Sequence, residues 1–481
     1  MTGGEAVIWH DAPVTRHFAH RGLAALLIAT AAAMLSSCGG VSPARHPGYP
    51  TVAVTVGSRP TGRPLAPGFV GLSLEYFAVP AYADPQAIRL IGDLSPGQRP
   101  VIRIGGNSTD EAWWPQPGEA APRGAKYALG SNWMSAAARL ASALDARMIL
   151  GLNLAAGQSA VAGDEARAFE RSIGSRYIQG LEIGNEPDLY GLFPWPQEHG
   201  LRRRGPGYSL RDFIRQYSRW RSAIGPALPV IGPAYATFDW SLARFIDSEP
   251  SLSLVTFHHY PLDACLTKRS ATGYPTIANL LSAQSSSGLA KQLAPAVAVA
   301  HAHGLPFRLD ELNSASCGGK WGVSNTFASA LWMLDTLFNL ARVGVDGVNV
   351  HTFPGAAYAP FSASGVAYPE YYGMLMFARA FPPAARLLPV TVSPGGALKA
   401  WATIDAGMRI RLILINEDVT RSYVVKLHVR GLGGPRRLER LRAPSVGATR
   451  GVTLGGHQSV SPVDGVYSIA VPAASAVLTA P

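Results

Sequence analysis

The sequence predicts a (β/α)8 TIM barrel followed by a C-terminal all-β sandwich domain, and three observations carry that prediction. The first is a set of eight short apolar runs, Phe69–Leu74, Val101–Ile104, Met148–Leu154, Ile178–Ile183, Pro229–Ile231, Leu254–Phe257, Phe307–Leu309 and Gly347–Val350. Such runs suit strands buried on both faces of a parallel sheet. The second is what separates them: amphipathic stretches of helical period at Trp133–Leu144, Asp164–Ser172, Leu210–Ile224, Leu289–His303 and Thr326–Val343. Eight strands alternating with helices over about 320 residues fit one closed barrel. The third is a change of texture past residue 384. There Ala397–Ile404, Met408–Ile415, Ser422–Val429 and Val466–Val471 alternate apolar and polar residues between Gly/Pro-rich turns, the pattern of a β-sandwich. A doubly wound open sheet is the competing architecture. It needs a phosphate-binding glycine loop after its first strand, and Gly71-Leu72-Ser73 is not one.

Length and composition agree. A chain of 481 residues, 47% apolar and 15% charged, is globular and too long for one compact core. The expected division is residues 1–37 as a lipoprotein-type signal peptide, 38–64 as a linker with a strand that joins the β-domain, 65–383 as the barrel and 384–481 as the sandwich. The linker strand is Thr51–Val56, which alternates like an edge strand. Arg16 and Arg21 precede an apolar run from Gly22 to Leu35, ending in Leu35-Ser36-Ser37-Cys38. That segment is too short for a membrane span and has the form of an export signal. Its end matches a bacterial lipobox with Cys38 as the lipidated residue, so the expected location is the bacterial cell envelope, lipid-anchored.

Export implies an oxidising compartment, and the other two cysteines are Cys265 and Cys317. A disulfide between neighbouring loops and a pair of free buried thiols both remain open for them. The net charge of +11 survives removal of residues 1–37, which hold Glu5, Asp11, Arg16 and Arg21. Arg202-Arg203-Arg204 and Arg436-Arg437 are expected to be solvated surface, so the charge favours an anionic partner only slightly.

In a barrel, chemistry sits where strands end and the following loops begin. Those positions are unusually polar here: Glu75-Tyr76 after the first strand and Gly105 to Asp110 after the second. The third strand carries Asn153; Asn185-Glu186-Pro187-Asp188 ends the fourth, His258-His259-Tyr260 the sixth, Asp310-Glu311 the seventh and His351 the eighth. Strands 4 and 7 of an eight-stranded barrel lie across the axis from each other, so Glu186 and Glu311 can flank one bond. Two carboxyl groups about 5–5.5 Å apart predict a retaining double displacement on a glycoside, and a wider gap predicts inversion. Asp310 alternates with Glu311 along the strand, so it is expected on the other side, paired with Arg103 or another buried cation. His258 and His259 have no third partner at metal-ligand spacing, and a hydrogen-bonding role near Glu311 is expected instead.

The ordered set of motifs resembles the clan A glycoside hydrolases, and within them family 79, the β-glucuronidase and heparanase family. The stretches that carry the resemblance are Gly71-Leu72-Ser73-Leu74-Glu75, Ile102-Arg103-Ile104-Gly105-Gly106-Asn107-Ser108-Thr109-Asp110, Asn185-Glu186-Pro187, Phe257-His258-His259-Tyr260 and Ser324-Asn325-Thr326-Phe327-Ala328. The resemblance implies Glu186 as acid/base, Glu311 as nucleophile and Asn185 as the partner of the sugar 2-hydroxyl. It implies Glu75, Asn107, His259 and Tyr260 as further substrate contacts. A uronate carboxylate would be received by the backbone of Cys317 and Gly318 and by Tyr358. The loop Ser314-Ala315-Ser316-Cys317-Gly318-Gly319 departs from the family, which has a tyrosine before its glycines. The expected activity is that of an exo-β-glucuronidase on glucuronic-acid-containing glycans. No cofactor, metal or nucleic acid is expected, and contact with a membrane only through the lipid at Cys38. The alternatives are a clan A β-glycosidase for glucose or xylose and a non-catalytic carbohydrate-binding lipoprotein.

Overall fold

The computed structural model describes residues 48–192, 203–430 and 432–480. The Gly22–Leu35 run, Cys38 and Arg202 lie outside these described residues. Eight parallel strands close into a barrel: Val70–Glu75, Val101–Gly105, Arg147–Leu152, Ile178–Ile183, Val230–Tyr235, Leu252–His258, Phe307–Leu312 and Gly347–Thr352. Closure is made by the eighth strand on the first, with Val348 opposite Val70 and Thr352 opposite Leu74. Each predicted apolar run is one of these strands, because both faces of a barrel strand are covered and no polar alternation is required.

The outer helices are set by local signals. Leu210–Ile224 begins at Ser209 with a capping box to Asp212 and ends at Gly225, whose φ is 79°, so both ends of the helix are satisfied by sequence-local groups. Among the helices with no counterpart in the expected set, the two longest are Pro85–Asp93 and Pro369–Ala380. The first is announced by Asp84, whose side chain accepts from the Gln86 amide, with Pro85 at the first helical position.

Two further sheets form the β-domain. One has six strands in the order Arg386–Leu388, Leu398–Ile404, Ile410–Asn416, Ser475–Ala480, Arg436–Arg442, Thr453–Val460. The other has four, Val390–Ser393, Thr51–Val56, Tyr423–Val429 and Val466–Val471. Thr51–Val56 runs parallel to Tyr423–Val429 and antiparallel to Val390–Ser393. Val52, Val54, Leu412, Leu414, Val425, Leu427, Ile469 and Val477 fill the space between the sheets.

The six-stranded sheet packs its other face on the barrel. Ile413, Ile415, Leu441, Ala476 and Leu478 belong to the barrel's own apolar core. Helix Phe327–Val343 is buried through most of its length between the two lobes. Trp401 stacks on its Phe338 at 5.3 Å and donates its indole N–H to Asp335 at 2.9 Å. The expectation of solvated arginine clusters fails at two positions. Arg203 is buried and bonded to Asp110, and Arg436 is buried and donates to the Ile410 carbonyl. A guanidinium can go inside when a carboxylate or carbonyl awaits it, a pairing that charge runs do not reveal.

Candidate active site

The polar strand ends meet at the carboxyl-terminal mouth of the barrel around Arg103, which is wholly buried. Its Nε donates to Glu182 at 2.7 Å, and its Nη1 donates to Ser73 at 3.0 Å and to Glu311 at 2.7 Å. Its Nη2 donates to Asn185 Oδ1 at 2.9 Å. One cation on strand 2 therefore fixes groups from strands 1, 4 and 7. A glycine two residues on is required, since a Cβ on Gly105 would collide with the Arg103 guanidinium.

Asp310 also reaches Arg103, at 3.4 Å from Nε. Strict alternation would have turned it away from Glu311, but the seventh strand shifts register between Leu309 and Leu312 against both neighbours. That irregularity lets two successive carboxyl groups address one guanidinium. Burial and the charge of Glu182 push the Asp310 carboxyl well above its ordinary range. Burial would raise Glu182 too, but the charge of Arg103 holds it low.

Glu186 stands at φ 51° and ψ 53°, a left-handed conformation rare for a residue with a side chain. Pro187 disfavours the right-handed region for the residue before it. The Glu186 amide donates to the Ala234 carbonyl at 3.1 Å, and Asp188 accepts from the amides of Ala236 and Thr237. Contacts on both sides thus hold a strained backbone in place, as functional positions often require.

Carboxylate oxygens of Glu186 and Glu311 lie within 4.8 Å of each other, with the His258 ring between them. His258 Nδ1 is 3.1 Å from Glu186 and 3.8 Å from Glu311, and its Nε2 is 3.6 Å from Asp310. Tyr260 donates its hydroxyl to Glu311 at 2.8 Å. His351 Nδ1 is 3.8 Å from Glu311, and its Nε2 is 3.5 Å from Glu75. Burial would raise the Glu311 carboxyl, but the charges of His351, His258 and Arg103 and the Tyr260 hydrogen bond hold it well below the usual carboxylate range. The carboxylate pairs oppose burial at His351 and push that imidazole up. Glu311 is therefore a resident anion.

The remaining expected residues divide. Asn185 and Tyr260 join the cluster. Glu75 does so through His351, yet its carboxylate also accepts from the amides of Asn107 and Ser108, at 3.2 and 2.9 Å. It thereby organises the loop after the second strand, which turns at Gly106 (φ 73°), where a Cβ would collide with Glu75. Tyr358 lies edge-on to His351 with centroids 6.0 Å apart. His259 is not brought in. Its Nε2 hydrogen-bonds Gln292 at 2.6 Å, because His258 ends the strand facing inward and the next residue points away. His258 and Arg103 are the residues that sequence reasoning undervalued, and the signal was available in their positions on the inward face of strands 6 and 2.

Cys265 and Cys317 form a disulfide. Among the described residues, three side-chain sets could meet one ion: Asp263 with these cysteines, Glu182 with His258 and Asp310, and Glu186 with His258 and Glu311. The sulfurs of the first are bonded to each other, and in the second Glu182 and Asp310 already pair with Arg103.

No family model matches the chain. A β-glucuronidase of Neurospora crassa is 24% identical over 430 residues, spanning 76% of this chain and 74% of the relative. A β-glucuronidase of Aspergillus niger is 25% identical over 336 residues, spanning 61% and 60% of the two chains. Among solved structures, a 4-O-α-L-rhamnosyl-β-D-glucuronidase from Fusarium oxysporum superposes with a TM-score of 0.74 at 22% identity, covering 89% of this chain and all of that one. A GH51 arabinofuranosidase from Xanthomonas axonopodis superposes with a TM-score of 0.68 at 15% identity, covering 89% and 99%. Barrel, facing glutamates and curated relatives together make this chain a glycoside hydrolase, and they bear out its resemblance to the β-glucuronidase family.

Proposed function

We propose that the protein is a retaining β-glucuronidase releasing a terminal uronic acid by double displacement. The observation that carries this reading is the pair Glu186 and Glu311, with oxygens within 4.8 Å and Glu311 bonded to both Arg103 and Tyr260. So close an approach of the two carboxylates fits a retaining pair. Glu311, kept ionised, forms a bond to the anomeric carbon as the bond to the aglycone oxygen breaks, and Glu186 passes its proton to that oxygen. In the second step Glu186, now a carboxylate, takes a proton from water. The water oxygen bonds to the anomeric carbon and the Glu311 ester breaks. Arg103 holds Asn185 Oδ1, which leaves the amide nitrogen of Asn185 for the sugar 2-hydroxyl.

A uronate rather than a neutral sugar is supported by the curated relatives and by the loop after the seventh strand. Among the described residues, the amides of Cys317 and Gly318 donate to no protein acceptor. Unpaired amides beside Tyr358 suit a carboxylate without a competing salt bridge. The test is turnover of 4-nitrophenyl β-glucuronide against the β-glucoside and β-xyloside, with proton NMR of the first-formed sugar. A glucuronide kcat/KM at least tenfold above the others and initial release of the β-anomer are expected. Equal turnover of the neutral sugars, or the α-anomer first, would overturn the reading. We also propose export with lipid attachment at Cys38, supported by the basic front, apolar run and lipobox pattern alone.

A further inference from the structure

We propose that Cys265, Asp263 and the disulfide to Cys317 form a clamp that sets the enzyme's selectivity for an acidic sugar. The proposal rests on the uronate reading above, and deepens it. The loop after the seventh strand makes an improbable backbone path: Cys317, Gly318 and Gly319 follow one another at φ 56°, 77° and 79°. Two glycines tolerate that region, but a cysteine does so only where its surroundings over-determine it.

The surroundings are the loop after the sixth strand. Ser316 pairs with Asp263 in a parallel bridge, its amide donating to the Leu262 carbonyl at 3.0 Å. One Asp263 oxygen accepts both the Ser316 hydroxyl and the Cys265 amide at 2.8 Å. The disulfide then ties the two loops just beyond that bridge, one residue past Ser316 and two past Asp263. On the other side the Gly318 carbonyl accepts from the Ala357 amide at 2.8 Å, and a Cβ on Gly319 would lie 2.8 Å from the Tyr358 ring. Every contact therefore anchors the two residues by their flanks, sulfur or carbonyl. Among the described residues, the Cys317 and Gly318 amides are left without a protein acceptor.

Nothing in this clamp touches Glu186 or Glu311, so its effect falls on the sugar's carboxylate and not on the displacement. A covalent tie holds the turn in this chain. The disulfide is solvent-exposed at both cysteines, and a reductant can reach it in the folded protein.

The experiment compares kcat/KM for 4-nitrophenyl β-glucuronide and β-glucoside in three samples: the oxidised wild type, the wild type treated with tris(2-carboxyethyl)phosphine, and Cys265→Ser. Glucoside turnover serves as the folding control in each sample. The glucuronide-to-glucoside ratio is expected to fall at least tenfold on reduction and in C265S, chiefly through a higher glucuronide KM. A ratio that stays within twofold in both altered samples would overturn the clamp. So would parallel loss of both activities, which marks a merely structural tie. A wild type with no glucuronide preference shows the uronate reading itself to be wrong, and the clamp falls with it.

Discussion

Arg103→Met removes the charge at the centre of the site while keeping most of the side chain's volume. Two of the lost contacts bear on turnover, Nη1 to Glu311 at 2.7 Å and Nη2 to Asn185 at 2.9 Å. Each charge-assisted hydrogen bond contributes about 1.5–3 kcal/mol. Their joint loss should lower kcat/KM by roughly 3–6 kcal/mol, on the order of a hundred- to ten-thousandfold. The Nε contacts to Glu182 and Asp310 bear on stability. Removing one partner of a buried ion cluster costs about 3–5 kcal/mol, because the remaining charges stay desolvated. The pH profile adds a sign. Arg103 is one of three cations that hold Glu311 down, so without it the carboxyl titrates at higher pH and the acid limb of kcat/KM moves upward. The assay is aryl glucuronide turnover from pH 3 to 8 with urea unfolding of the same samples. Arg103→Lys is the control. It keeps the charge but loses the fork, so kcat/KM should drop while the acid limb stays near that of the wild type. An R103M enzyme with less than tenfold loss and an unmoved acid limb would refute the reasoning.

The two glutamates should separate by leaving group. Glu311→Gln should abolish turnover of every substrate. Glu186→Gln should cost on the order of 10²–10⁴-fold on an alkyl glucuronide, whose leaving oxygen needs a proton, and far less on a dinitrophenyl glucuronide, whose oxygen does not. Equal losses on both substrates would contradict the assigned roles. Asp188 gives a stability prediction. Burial pushes its carboxyl up to about 6, so the folded state keeps a proton that the unfolded chain releases between about pH 4 and 6, and folding weakens as pH rises through that window. The effect is about 3 kcal/mol for a shift of roughly two units. The stability advantage of wild type over Asp188→Asn, measured by urea unfolding, should therefore shrink by about that much from pH 4 to pH 7. A constant difference would show that Asp188 is charged in the native protein at both pH values.

The barrel was legible because its strands are apolar on both faces, and the facing glutamates because the carboxylates stand at the strand ends. Less visible was the seventh strand's irregularity, which breaks the alternation rule and brings Asp310 round to Arg103. The same rule worked at the sixth strand, separating His258 from His259, where the paired histidines had been treated alike. In the β-domain, strand Arg436–Arg442 was hidden by its four arginines and a glutamate. Its buried positions, Leu438 and Leu441, are too few for a strand signal, and Arg436 is held inside by a carbonyl contributed from a distant strand. Helix Pro369–Ala380 was missed for the opposite reason. It is apolar on most faces, packed between Phe338 and the six-stranded sheet, and so shows little amphipathic period.

Strand Thr51–Val56 has a consequence for how the molecule is made. Its neighbours in the sheet, Val390–Ser393 and Tyr423–Val429, emerge only after the entire barrel has been synthesised. Closing so long a loop adds little to the equilibrium cost, which grows only logarithmically, but it delays the contact. The barrel, whose strands and helices alternate along the chain, can condense first. Until the last hundred or so residues arrive, Val52, Val54 and Val56 form an apolar row on an unpaired edge, the kind of segment that seeks another chain. The strand thus acts as the final stitch of assembly. A chain halted before its β-domain would carry both a folded barrel and an exposed adhesive end.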